Sequence, residues 1–154
     1  DLLAYIQPVF IDLDMNTVEP AIGAQRMDKV YAWKSMLDMG IHTSGGSDAP
    51  VVSFDAMENI YFAVTRKNIS GQPQEGWIPS EKISVDEAVK LFTKNAAYAS
   101  YTEDENGTIE VGKNADFVVL EKNIYEIDPD EIKATKVDMT VLGGEIVYER
   151  EVEE

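Results

Sequence analysis

Hydrophobic positions in the first part of the chain predict strands and helices in alternation. An apolar run broken by Pro8 indicates a buried strand that ends in a loop. The pattern predicts a strand over 2–11, an aperiodic connection over 12–23, a helix over 25–39, a strand over 41–44 and a helix over 54–65. The helix over 25–39 carries apolar side chains on more than one face, so we expect it to pack on more than one side. This alternation predicts α/β units around a parallel sheet.

The second part of the chain predicts one more helix and then only strands. Residues 66–83 are rich in Gly and Pro and predict a loop. Ser84 and Glu87 have the spacing of a capping box, and apolar positions at helical spacing continue to Ala96. Beyond residue 101 the pattern predicts a buried strand over 117–120, an alternating strand over 137–141, a two-residue hairpin turn at 143–144 and a strand over 146–148. We therefore divide the chain into an α/β part, 1–101, and an all-β part, 102–154.

Composition narrows the classes of function and of binding site. The 13 basic and 29 acidic side chains give a net charge of −16, which argues against nucleic acid as a partner. No run of about 18 apolar residues predicts a membrane span. The absence of Cys and the single His make a complete zinc site hard to assemble from this chain. No signal peptide is visible, so a cytoplasmic location is expected, and a start inside an apolar strand suggests a cut segment.

Asp48 is the first candidate for chemistry, because it follows a predicted strand. Gly45, Gly46 and Ser47 precede it and allow close approach of the backbone. Residues just past the carboxyl ends of parallel strands form the active face of such folds. The alternative is that Asp48 caps the next helix or forms an Asx-turn. His42 is expected to satisfy a local hydrogen bond rather than to bind metal.

Residues 104–107 superficially suggest a calcium loop. The required carboxylates are missing, since Thr102 and Lys113 would occupy the first and twelfth positions. A turn at 106–107 is therefore predicted instead.

Several segments, taken in order, resemble the carboxy-terminal portion of the amidohydrolase superfamily, and most closely its amidohydrolase-3 branch. They are residues 6–8, 31–41, 46–51, 83–88 followed by 93–97, and 107–120 together with 140–148. The resemblance implies an α/β fold in which a partial (β/α) barrel, its last two units, is followed by a small all-β sandwich lobe.

The resemblance also implies chemistry. It points to a metal-dependent hydrolase that cuts the C–N bond of a small-molecule amide or formamide-like substrate, with a divalent metal, zinc above all. In this interpretation Asp48 takes the proton of the attacking water, returns it to the leaving amine, and is also a metal ligand. Gln7, Arg66 and Trp77 are candidate substrate contacts. For the last two, an ordinary surface loop over 66–83 is an open alternative.

The remaining histidines and the bridging acid or lysine of the family's metal site have no counterpart here. We expect them upstream of Asp1, in a parent enzyme of which this chain is a segment. The segment alone is then expected to be inactive, to hold no metal tightly, and to self-associate through unpaired strand edges. The alternative hypothesis is a non-catalytic acidic interaction module that lacks the metal site, and the coding sequence upstream of Asp1 distinguishes the two.

Overall fold

The computed structural model describes residues 2–151. The strands are β1 (Leu3–Ile6), β2 (His42–Gly45), β3 (Phe117–Leu120), β4 (Val137–Leu142) and β5 (Glu145–Glu149). The α-helices are α1 (Phe10–Asp14), α2 (Val18–Ile22), α3 (Trp33–Asp38), α4 (Ala56–Thr65), α5 (Val85–Leu91) and α6 (Lys94–Ala99). Three 3₁₀ helices cover Ala24–Lys29, Pro79–Glu81 and Pro129–Ala134.

Strands β1 and β2 are parallel neighbours, which confirms the predicted α/β pairing. Leu3 lies opposite His42 and Ile6 opposite Gly45. The ladder continues one residue further, because the Gly46 amide donates to the Ile6 carbonyl at 2.9 Å. Both strands therefore end at the same edge of the sheet, and the segments that follow them begin there.

The single helix predicted over 25–39 is wrong. Residues 24–29 form a 3₁₀ helix, and α3 begins only at Trp33. The break is at Tyr31, whose φ of 49° is left-handed. Its carbonyl accepts a hydrogen bond from Arg66, 35 residues away, so a tertiary contact overrides the local helical pattern.

Other boundaries also differ from the predictions. The strand expected over 2–11 ends at Ile6, and the aperiodic stretch over 12–23 contains α2 and the end of α1. Both helices are five residues long, too short for a helical period to show in a sequence window. The helix predicted to continue from Ser84 to Ala96 divides into α5 and α6 at Thr93, whose hydroxyl donates to the Val89 carbonyl at 2.8 Å.

Strands β3, β4 and β5 form an antiparallel sheet in that order. The hairpin turn is confirmed: Gly143 and Gly144 have φ of 58° and 84°, values that a two-residue turn of this kind requires and that glycine adopts freely. The prediction that 117–120 is buried is wrong for the described structure, since Val118 is 51% exposed. A small antiparallel sheet is therefore present, whereas a closed all-β lobe is not established.

The core is centred on α4. Ile60, Tyr61 and Phe62 of this helix are buried, and the same cluster includes Ile124 and Ile132. Side chains from both sides of residue 101 thus pack together, and the division at that residue stays a prediction. In the part of the chain that the structure describes, no helix is long and apolar enough to cross a membrane.

Candidate active site

Asp48 lies on the loop that follows β2, at the edge where both parallel strands end. It is exposed and has a φ of 61°, a left-handed conformation that Asp tolerates better than most residues. The Val51 amide donates to the Asp48 carbonyl at 2.9 Å, so residues 48–51 form a turn. The carboxylate therefore stands at the carboxyl end of a parallel strand, where the sequence predicted it.

The helix-capping alternative for Asp48 is wrong, because another residue caps α4. The Oδ1 atom of Asp55 accepts hydrogen bonds from the amides of Met57 and Glu58, at 2.8 and 3.4 Å. A short acidic side chain directly before a helical pattern is the usual signal for such a cap. Asp48 is thus not the N-cap of α4.

Two contacts fix the strand that leads to Asp48. Gly45 packs so closely against Phe92 that an added Cβ would lie 2.7 Å from Cζ of the ring. The Asn95 side-chain amide donates to the Thr43 carbonyl at 2.9 Å. Helices α5 and α6 therefore hold β2 from one side. Neither Phe92 nor Asn95 was predicted as a site residue, since both contacts join segments about fifty residues apart.

Gln7 directly follows β1, and its half-buried side chain belongs to the same edge of the sheet as Asp48. Its backbone carbonyl accepts from the Phe10 amide at 3.2 Å, which turns the chain into α1. The structure thus brings Gln7 and Asp48 to neighbouring strand ends. A substrate contact by Gln7 stays a prediction.

Arg66 is completely buried and belongs to a different cluster from Asp48. It ends α4 in a left-handed conformation, with φ of 54°. Its guanidinium lies 4.7 Å from the centre of the Trp33 ring and 5.7 Å from that of Trp77. Nε donates to the Trp77 carbonyl at 2.6 Å and Nη1 to the Tyr31 carbonyl at 3.0 Å. Arg66 and Trp77 therefore contact each other. Through Tyr31, Arg66 also joins the loop after α4 to the segment before α3.

Burial shifts two pKa values in this cluster. Desolvation lowers the pKa of Arg66 to about 10, opposed by the charge of Glu81. Desolvation also raises the pKa of Tyr31, and the hydrogen bond from its hydroxyl to Asp14 raises it further. A substrate contact by Arg66 or Trp77 stays a prediction, and the described contacts of Arg66 are with protein groups.

The residues described here do not by themselves fit a metal centre. Within residues 2–151, no group of three or more His, Cys, Asp or Glu side chains could hold a metal ion. His42 starts β2, at the opposite end of the strand from Asp48, and its ring stacks on Tyr98 with centroids 4.2 Å apart. Asp48 could supply one carboxylate ligand, and the others would have to come from elsewhere.

A cavity of about 550 Å³ lies between α4, α5 and the antiparallel sheet, away from the residues predicted to react. Its lining is mostly apolar and includes Met57, Ile60, Phe92, Phe117 and Val141. Asp48, Gln7, Arg66 and Trp77 do not line it. The four predicted site residues therefore lie outside this cavity.

With this geometry established, similarity to known proteins identifies the family. The model of the Amidohydrolase family (Amidohydro_3) matches residues 2–148. The chain belongs to this family. It is 38% identical over 145 residues to putative amidohydrolase YtcJ of Bacillus subtilis, which covers 94% of this chain and 27% of that protein. It is 35% identical over 122 residues to an N-substituted formamide deformylase of Arthrobacter pascens, covering 79% and 22%.

Solved structures agree with this membership. An uncharacterized metal-dependent hydrolase from Pyrococcus furiosus is 26% identical, with a TM-score of 0.61, over 73% of this chain and 22% of that one. One from Pyrococcus horikoshii, 21% identical, shares the fold with a TM-score of 0.71 over 81% of this chain and 25% of that one. The amidohydrolase chain thus spans about a quarter of the length of the curated relatives that it matches.

Proposed function

We propose that this amidohydrolase chain is the carboxy-terminal part of a metal-dependent enzyme that hydrolyses C–N bonds of small amides or formamides, and that Asp48 is its proton-transfer residue. The family membership and the name of the deformylase relative support the reaction class. The role of Asp48 is supported by the position of this exposed residue, just past the carboxyl end of β2 and beside β1.

A carboxylate at this position suits the chemistry. A carboxylate oxygen can accept a proton from a water molecule as the water oxygen forms a bond to the carbonyl carbon. The same proton then passes from the Asp48 carboxyl to the amine nitrogen, and the C–N bond breaks. The free carboxylate is regenerated, and the products are a carboxylic acid and an amine.

A divalent metal in the parent, with zinc as the proposed ion, would polarise the carbonyl of the substrate. Its other ligands would have to come from outside residues 2–151, because these residues contain no three-ligand group. The 154-residue chain alone is then expected to be inactive. Reading the coding sequence upstream of Asp1 separates this proposal from the non-catalytic acidic module.

Asp48→Asn in the full-length parent tests the role of the carboxylate. An amide cannot accept the proton of the water, so we expect kcat/KM for an N-substituted formamide to fall by about 10²–10⁴. Asp55→Asn is the matched control, since it makes the same charge change seven residues away and Asn remains a good helix cap. A rate for Asp48→Asn within threefold of the parent would contradict the proposal.

A further inference from the structure

The loop between Asp48 and α4 turns large apolar side chains outward. Five of the residues 49–54 are apolar, and Ser53 is the exception. Val52 is partly buried against the core, whereas Val51 is 66% exposed and Phe54 is 86% exposed. Val51 and Phe54 therefore contribute little to packing within the described residues.

Hydrogen bonds hold this apolar loop, residues 49–54, beside the carboxylate. The turn formed by the Val51 amide and the Asp48 carbonyl keeps their Cα atoms within about 7 Å. At the start, the Ser47 hydroxyl accepts from the Ala49 amide at 3.3 Å. At the end, the Asp55 amide donates to the Ser53 hydroxyl at 3.2 Å, and Asp55 caps α4. Val51 thus lies in the turn that begins at Asp48, and Phe54 directly precedes the residue that caps α4.

The proposed proton transfer determines which part of a substrate would lie against this loop. To protonate the leaving amine, the Asp48 carboxyl must come within about 2.6–3.2 Å of its nitrogen. A substituent on that nitrogen then lies near Asp48 and therefore near Val51, which belongs to the same turn. Small-molecule sites are mostly apolar walls around a few polar groups, and loops at the carboxyl ends of parallel strands build them.

We propose that Val51 and Phe54 form the apolar wall that receives the nitrogen substituent of the substrate, and that they select amides with an apolar substituent of several carbons. This inference rests on the proposed function of Asp48. It adds two specificity-determining residues to the site proposed around Asp48.

The test uses the full-length parent with N-methylformamide and N-hexylformamide. For Val51→Ala and Phe54→Ala we expect kcat/KM to fall about 10–100-fold with the hexyl compound and less than threefold with the methyl compound, since contact with a few methylenes is lost. Phe54→Leu, which keeps an apolar side chain, should recover most of the loss. Ile109→Ala is the matched control, because this side chain is 85% exposed in a different segment.

A binding measurement makes the outcome independent of turnover. In protein carrying Asp48→Asn, calorimetry should give a Kd for N-hexylformamide that rises at least tenfold when Phe54→Ala is added. An unchanged Kd, no binding at all, or an equal loss of kcat/KM for both formamides would contradict the proposal that Val51 and Phe54 receive the nitrogen substituent. An unaltered rate in Asp48→Asn would instead overturn the proposed function, whatever the ratio between the two compounds.

Discussion

Gly45 lets β2 lie directly against the ring of Phe92, so an alanine there tests how tightly the strand before Asp48 is packed. The added Cβ would lie 2.7 Å from Cζ and 3.0 Å from both Cε atoms of the ring. Ordinary carbon contacts are about 3.5–4.0 Å, so ring or strand must move by several tenths of an ångström. Gly46, the next residue, has no atom within 4 Å of an added Cβ, and it supplies the matched control.

The expected magnitudes follow from overpacking and chain entropy. Overpacking a core contact costs about 1–3 kcal/mol. Replacing Gly by Ala at an unstrained position recovers about 0.4–1 kcal/mol, because it restricts the unfolded chain. We therefore expect Gly45→Ala to lower the free energy of unfolding by about 1–2 kcal/mol and the Tm by about 2–8 °C. Gly46→Ala should leave stability unchanged or slightly raised.

Urea unfolding followed by the fluorescence of Trp33 and Trp77 measures both variants. The double variant with Phe92→Leu separates the steric cause from any other effect, because leucine lacks the outer ring atoms. In that background the cost of Gly45→Ala should shrink by at least about 1 kcal/mol. Equal stabilities of Gly45→Ala and Gly46→Ala, or an unchanged cost in the Phe92→Leu background, would refute the packing argument.

Three further predictions concern stability and assembly. Above pH 10 the raised pKa of Tyr31 makes the folded chain retain a proton that the unfolded chain loses, so stability falls as pH rises. The lowered pKa of Arg66 acts in the opposite direction. Tyr31→Phe should therefore lose less free energy of unfolding between pH 10 and 11.5 than the unmodified chain in urea titrations, and an equal or greater loss would contradict this. Ser84→Ala removes the capping box of α5 and should cost about 1 kcal/mol of unfolding free energy, whereas Glu87→Gln should cost less; a neutral Ser84→Ala would count against the cap. The chain should associate more as salt rises, because screening weakens the repulsion of its −16 charge, and sedimentation showing monomer at both low and high salt would exclude this.

The sequence alone determined those features that depend on neighbouring residues. Ser84 and Glu87 form the predicted capping box, and the two glycines at 143–144 form the predicted turn. The order of strand, helix and strand before Asp48 predicted the parallel pair, and the ordered set of segments from 6–8 to 140–148 predicted the family. These signals lie within one helical turn, one hairpin or one ordered set of segments, so they can be read along the chain.

Only the tertiary structure decided what depends on residues far apart in the chain. The left-handed break at Tyr31 accompanies its hydrogen bond from Arg66, and the burial of Arg66 depends on two tryptophans from separate segments. The close approach of Gly45 to Phe92 and the outward turn of Phe54 are also set by packing. Local patterns carry no information on such contacts, because the contact energies arise only when distant segments meet. These energies can then exceed the helical propensity of an ordinary residue, which is about a few tenths of a kcal/mol.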